Sequence, residues 1–126
     1  MRPPVGALCW AIPEGFIPRS STGKARTPRS HETARILNAA DRDAHVEIMV
    51  LFIDRDPVGP YRVTVPAGRS RHVRLDDLDD PRPIPRDTDF ATLITSDVPI
   101  VVQHTRLDSR REALVLPSTI PHAGAG

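Results

Sequence analysis

The chain contains 14 prolines in 126 residues, and they fall between its apolar runs. Proline removes a backbone N–H and clashes with the preceding helical turn, so this spacing disfavours long helices. The apolar runs are short, rich in Val and Ile, and bounded by Gly, Pro, Asp and Ser, which is typical of strands joined by turns. We therefore predict an all-β fold, an antiparallel β-sandwich or jelly roll of about eight strands.

The clearest predicted strand covers residues 45–53. Because side chains alternate along a strand, one face carries a wholly apolar row that we expect to face the core: Val46, Ile48, Val50 and Phe52. The opposite row becomes apolar only towards its end, so we expect another subunit or a loop to cover that end. The other predicted strands are 5–12, 31–39, 61–65, 70–75, 90–95, 98–105 and 112–116. Residues 13–29 and 76–89 are predicted loops, and Ser96 and Asp97 a turn.

The length suits a single domain, with an ordered core of about residues 5–116 and a flexible tail at 117–126.

The net charge is +1, so no global field directs the chain to nucleic acid or to a membrane. Cys9 is the single cysteine, which fits a reducing compartment. No apolar run approaches the ~20 residues of a membrane span, and the start lacks a signal-peptide pattern. We expect a cytoplasmic protein whose membrane role, if it has one, passes through a partner.

A dense group of polar residues follows the predicted strand 98–105. His104 shares a face with Val98 and Ile100, so an inward face places the imidazole at the rim of the core. It fits a ligand-contacting histidine or a structural one. The alternating residues Arg106, Asp108 and Arg110 fit either a fork for an anion or a sugar hydroxyl, or an ion-pair network at a subunit boundary.

His31 and Glu32 open the predicted strand 31–39. With His104, His72 or His45, and with Glu47, they supply metal-ligand types. No spacing matches a zinc signature, so a histidine–carboxylate hydrogen bond is the favoured interpretation, and we predict no metal and no cofactor.

No catalytic motif is present: the sequence lacks a nucleophile elbow, a P-loop and a dinucleotide-binding glycine pattern. Cys9 lies beside Trp10 in an apolar strand, where an inert buried thiol is the simpler interpretation. Trp10 and Glu14 fit stacking on a sugar and hydrogen bonding to it, or Trp10 is a core residue. We therefore predict that the protein is not an enzyme.

One loop and one strand are basic. The basic side chains of both fit a phosphate-facing patch that binds nucleic acid weakly, or a solvated surface. The residues concerned are Arg19, Lys24, Arg26, Arg29, Arg69, Arg71 and Arg74.

Long and unusual sequence motifs, in a fixed order along the chain, resemble those of a known family. They are Cys9-Trp10-Ala11-Ile12 with Glu14-Gly15, Ser30-His31-Glu32-Thr33, Ile36-Leu37-Asn38, Asp43-Ala44-His45-Val46-Glu47-Ile48, Pro57-Val58-Gly59-Pro60-Tyr61-Arg62, Val65-Pro66-Ala67, His72-Val73-Arg74, Pro83-Ile84-Pro85, Asp87-Thr88-Asp89-Phe90-Ala91 and residues 98–110. In these strings the chain resembles the sensory rhodopsin transducer family from about Cys9 to Arg110. It departs from the family in the basic loop 18–29 and after Arg110.

The resemblance implies an antiparallel β-sandwich assembled as a homotetramer. It also implies a cytoplasmic signalling partner for a membrane-embedded retinal photoreceptor, with sugar-like ligands and DNA as further partners. A sugar-binding module without a rhodopsin partner is the alternative. The candidate ligand contacts are Trp10, Glu14, His31, Glu32, His72, Arg74, His104 and Arg106.

Overall fold

The computed structural model describes residues 5–18, 31–107, 118–119 and 122–123, with the backbone alone described at residues 31, 106, 107, 118, 119, 122 and 123. Six strands of at least six residues and two of two residues account for most of this part. They are β1 (Ala7–Phe16), β2 (His31–Asn38), β3 (Ala44–Leu51), β4 (Val58–Val65), β5 (Arg69–Arg74), β6 (Asp89–Leu107), β7 (Ser118–Thr119) and β8 (His122–Ala123). A 3₁₀ turn, Leu75–Asp77, follows β5. The predicted all-β antiparallel class is confirmed.

The 19-residue strand β6 belongs to both halves of a curled antiparallel sheet. Its first part lies between β1 and β3, in the order β4-β3-β6-β1-β8. Its second part pairs with β2, which in turn pairs with β5, and with β7 on its other side. The two halves therefore enclose one core and share one strand.

The predicted turn at Ser96 and Asp97 is wrong: β6 continues through these residues. The register shows why turn-type residues occur there, because Ala7 pairs with Ile100 while Cys9 pairs with Thr95. The extra residues of β6 form a bulge, which bends the strand without reversing it. This bend lets β6 pass from one half of the sheet to the other.

The β1 strand extends four residues beyond the predicted end at residue 12. Pro13 lies within it, at a second register shift between Ile12 and Gly15, where the ladder does not need its N–H. The predicted loop 13–29 therefore begins later than expected. The predicted strand 112–116 and the predicted loop from residue 19 onwards lie outside the described residues, as does most of the predicted tail.

The core follows the alternation expected from the sequence. Val46, Ile48 and Val50 are fully buried, whereas Phe52, beyond the end of β3, is only half-buried. Val98, Ile100 and Val102 of β6 are also buried, as predicted. Aliphatic residues make up most of this core.

Asn38 ends β2 as a fully buried polar residue. Its amide nitrogen donates to the carbonyls of Arg42, Val65 and Pro66, and its Oδ1 accepts the N–H of Ala40. It thereby closes the turn into β3 and ties that turn to the end of β4. Among the described residues, no helix is long and apolar enough to cross a bilayer.

Candidate functional site

Three strands present an in-register grid of polar side chains on the outer face of the sheet. One row is Arg74, Thr33 and Thr105, and the next is His72, Arg35 and Gln103, each residue on β5, β2 and β6 in turn. Neighbouring strands lie ~4.8 Å apart, so each row is compact. With Asp77 at one side, these residues line a groove of about 480 Å³, which we call the outer groove.

Arg35 occupies the centre of the outer groove because β2 is the middle strand. Its Nε donates to Nε2 of the His72 imidazole directly across the strand pair. This contact uses the Nε–H of Arg35 and leaves its two terminal NH₂ groups outside it.

Arg74 is paired within the protein. Its Nη2 lies 2.7 Å from Oδ2 of Asp76 and its Nε 3.3 Å from Oδ1, a two-point contact. The hydrogen bond to Asp76 raises the pKa of Arg74, since it favours the charged guanidinium. Asp77 adds a second carboxylate beside it. The charge of Arg74 is thus largely compensated by its own loop.

Glu32 and His104 form a polar pair inside the core, facing away from the outer groove. Glu32 is fully buried and His104 is 8% exposed. The Glu32 Oε2 contacts Nε2 of His104, and Oε1 accepts the main-chain N–H of Phe16 at 2.8 Å. The pair therefore joins β2 and β6 to the end of β1. This is the histidine–carboxylate hydrogen bond favoured by the sequence.

Trp10 is buried and its indole N–H binds the main chain. It donates to the carbonyl of Ile100 at 2.9 Å and to that of Ala7 at 3.2 Å. Both acceptors lie where the β1–β6 register shifts, so the indole ties the two strands together at the bulge. Glu14 is exposed on β1.

The remaining predicted contacts are placed only by their backbone. His31 pairs with Leu107, and Arg106 pairs with Glu32, at the open end of the β2–β6 ladder. Asp108 and Arg110 lie outside the described residues. The eight predicted residues therefore do not form one site: His72 and Arg74 line the outer groove, Glu32 and His104 pair in the core, and Trp10 lies at the bulge.

The sequence prediction missed Thr33, Arg35 and Gln103, which complete the outer groove. Each lies two residues from another outward residue on its own strand, so alternation alone predicts its exposure. What the sequence does not contain is the pairing of β2 with both β5 and β6. Without that pairing, nothing connects Arg35 with His72 or Gln103.

A second polar groove, of about 510 Å³, lies over β3, β4 and the first part of β6. Asp97 here binds both the main-chain N–H and the imidazole of His45, and Glu47 lies 3.6 Å from Arg62. The main-chain bond from His45, followed by the imidazole contact, lowers the pKa of Asp97. The charged groups of this groove are therefore matched with each other.

The sequence left two further kinds of site open, a basic patch and a metal site. Arg69 and Arg71 alternate with Arg74 along β5, so these arginines lie on opposite faces and do not form one patch. Lys24, Arg26 and Arg29 lie outside the described residues. Among residues 5–18 and 31–107, no three His, Cys, Asp or Glu side chains come close enough together to hold a metal.

Comparison with known proteins gives one consistent result. The sequence profile of the family described as Anabaena sensory rhodopsin transducer matches residues 5–123. The solved structure of the Anabaena sensory rhodopsin transducer is 59% identical with a TM-score of 0.73, and the match covers 82% of this chain and 100% of that chain. A second solved structure, Thermotoga maritima 1070, is 34% identical with a TM-score of 0.84, covering 97% of this chain and 98% of that chain. No curated protein is significantly similar.

Proposed function

This chain belongs to the family of the Anabaena sensory rhodopsin transducer, and on that premise we propose that it carries a signal from a membrane-embedded sensory rhodopsin by binding the receptor's cytoplasmic side. The observation that carries the proposal is the 59% identity over the full length of the Anabaena transducer. A cytoplasmic location is part of the proposal, because the receptor's signalling face is there.

We propose a binding role without catalysis. Support comes from the two imidazole–carboxylate pairs, since in each the carboxylate also binds a main-chain N–H. Glu32 binds that of Phe16, and Asp97 that of His45. Both carboxylates therefore position backbone.

We also propose that the working form is a homotetramer. The support is apolar surface at the end of β3, where Leu51 is 38% exposed, and just beyond the strand, where Ile53 is 90% exposed. Neighbouring exposed apolar side chains, as opposed to a single one, are a feature of surfaces that another subunit covers. Light scattering should give about four times the chain mass of 13.9 kDa.

The outer groove is the proposed site of a small, polar, sugar-like ligand. Its Thr33, Thr105 and Gln103 side chains supply hydroxyl and amide groups, which are the usual partners of sugar hydroxyls. A ligand that binds one state of the assembly better also changes the affinity of the assembly for the receptor. Receptor binding changes the affinity for the ligand by the same factor. The alternative is a metabolic sugar-binding module with no receptor, supported by the same groove.

The deciding experiment measures binding of the purified chain to Anabaena sensory rhodopsin in nanodiscs, in darkness and under illumination, by biolayer interferometry. We expect saturable binding with an affinity that differs between the two conditions. A light-driven retinal proton pump in the same nanodiscs is the control. Equal binding to the pump and to the sensory rhodopsin would contradict the transducer role and favour the metabolic alternative.

A further inference from the structure

We propose that the outer groove binds a small polyhydroxylated molecule bearing one anionic group, and that Arg35 holds the anion. The inference rests on the proposed ligand site and specifies its ligand class. It follows from the distribution of charge in the groove, from the contact that orients Arg35, and from the neutral polar groups around it.

Of the two arginines that line the outer groove, Arg35 is the one without a carboxylate partner among the described residues. Arg74 is bound at two points by Asp76, and Asp77 lies beside them. Arg35, on the adjacent strand, has no carboxylate within ion-pair distance among the described residues. A second anionic group on the ligand would be repelled by Asp77, whereas a single carboxylate or phosphate group finds its partner at the centre of the groove.

The orientation of Arg35 suits end-on binding of a planar or tetrahedral oxyanion. Its Nε is already used by His72, so the two terminal NH₂ groups are the donors available to a ligand. Two parallel N–H donors match the spacing of carboxylate or phosphate oxygens. His72 thus acts as a positioning residue, because it accepts from Arg35 and restricts the guanidinium to one direction.

The rest of the groove fits a polyol. Thr33 and Thr105 flank Arg35 in the next row, and Gln103 lies beside it in its own row. Asp77 at the margin is an acceptor for hydroxyl donors. The volume of about 480 Å³ accommodates a molecule with a six-carbon chain. Sugar acids and sugar phosphates both combine a polyol with one anionic group, and matched probes distinguish them.

The test is isothermal titration of the full chain with three matched probes: D-gluconate, D-glucitol 6-phosphate and neutral D-glucitol. A charge-assisted bidentate contact is expected to make at least one anionic probe bind about tenfold more tightly than D-glucitol. Whichever anionic probe shows this preference identifies carboxylate or phosphate as the group recognised. Arg35→Gln should abolish the preference, and Arg62→Gln, which changes an exposed arginine in the second groove, should retain it.

Equal affinity for D-glucitol and both anionic probes would overturn the inference, as would an unchanged preference in Arg35→Gln. Inorganic phosphate or acetate binding as tightly as the anionic polyols would overturn its polyol part. Binding of the same variants to sensory rhodopsin nanodiscs is measured in parallel. Receptor binding without an anion preference defeats this inference alone and leaves the transducer role standing.

Discussion

Asp97 binds His45 at two points. Its Oδ1 accepts the main-chain N–H of His45 at 2.8 Å, and its Oδ2 lies 2.8 Å from Nδ1 of the imidazole. Asp97 lies in the bulge of β6, and His45 lies near the start of β3. The carboxylate therefore fixes the bend of β6 against its neighbour, at the point where the strand passes between the two halves of the sheet.

Asp97→Asn is expected to lower the denaturation midpoint at neutral pH, because the amide keeps the shape but not the charge. The contacts with His45 lower the pKa of Asp97 from its ordinary 3.8. A group with a depressed folded-state pKa contributes stability above its unfolded pKa and loses it as the pH falls through the folded value. The difference between wild type and variant should therefore shrink on acidification below about pH 4.

Urea denaturation at a series of pH values below about pH 5 measures this difference. Asp56→Asn, which changes an exposed aspartate in the β3–β4 connection, is the control and should show no comparable trend. A difference between wild type and the Asp97→Asn variant that grows on acidification would contradict the prediction.

Removing one partner of the buried Glu32–His104 pair should lower the free energy of unfolding far more than Asp97→Asn does. Glu32→Ala removes, at a fully buried position, the carboxylate that binds the His104 imidazole and the Phe16 N–H. We expect a loss of about 3–5 kcal/mol in the free energy of unfolding, from urea curves. Glu47→Ala, which changes an exposed glutamate 3.6 Å from Arg62, should cost less than about 1 kcal/mol.

The double variant Glu32→Leu/His104→Leu distinguishes pair chemistry from packing. Replacing both partners by apolar residues removes the desolvation cost together with the contact. It should be more stable than Glu32→Ala. Equal instability of the two variants would show that the shape of the site, and not the polar pair, is what the core requires.

Gly6→Ala is predicted to destabilise the fold strongly. Gly6 has φ +98, and an added Cβ would lie 2.0 Å from the carbonyl oxygen of Ile100, so both the backbone conformation and the space exclude a side chain. Gly68→Ala is the matched comparison, because Gly68 has φ +65 with nothing within 4 Å. It should cost only the left-handed conformation, about 1–2 kcal/mol. Thermal unfolding followed by circular dichroism should rank Gly6→Ala well below Gly68→Ala.

Ile53→Asp is expected to weaken the proposed tetramer without unfolding the chain. The side chain is 90% exposed, so a charge there costs the isolated chain little, but burial of that charge between subunits is unfavourable. Light scattering over a dilution series should show dissociation at higher protein concentration than for wild type. Val5→Asp, the control, makes the same change at a residue 48% exposed ahead of β1. An unchanged mass for Ile53→Asp would place the assembly interface elsewhere.

Much of the fold follows from local sequence patterns. The alternation in β3, β4 and β6 identifies the buried rows, because each strand presents one face to a single core. The course of β6 does not follow from them. Ser96 and Asp97 are turn formers, and only the partner strands show that they bulge. A bulge and a reversal use the same residues, so tertiary pairing decides between them.

The candidate site was predictable only in part, for the same reason. His72 and Arg74 are recognisable as outward residues of one strand, and His104 as a residue at the edge of the core. Arg35 carries no distinguishing local signal between the buried Ala34 and Ile36. Its importance arises from its position on the middle of three strands, which is a property of the topology.

The sharing of β6 connects the protein's two polar grooves through one continuous length of backbone. Gln103 in the outer groove and Thr95 in the second groove belong to the same uninterrupted strand, one on each side of the bend that Asp97 anchors. A ligand in either groove therefore contacts the same strand, on one side or the other of that bend.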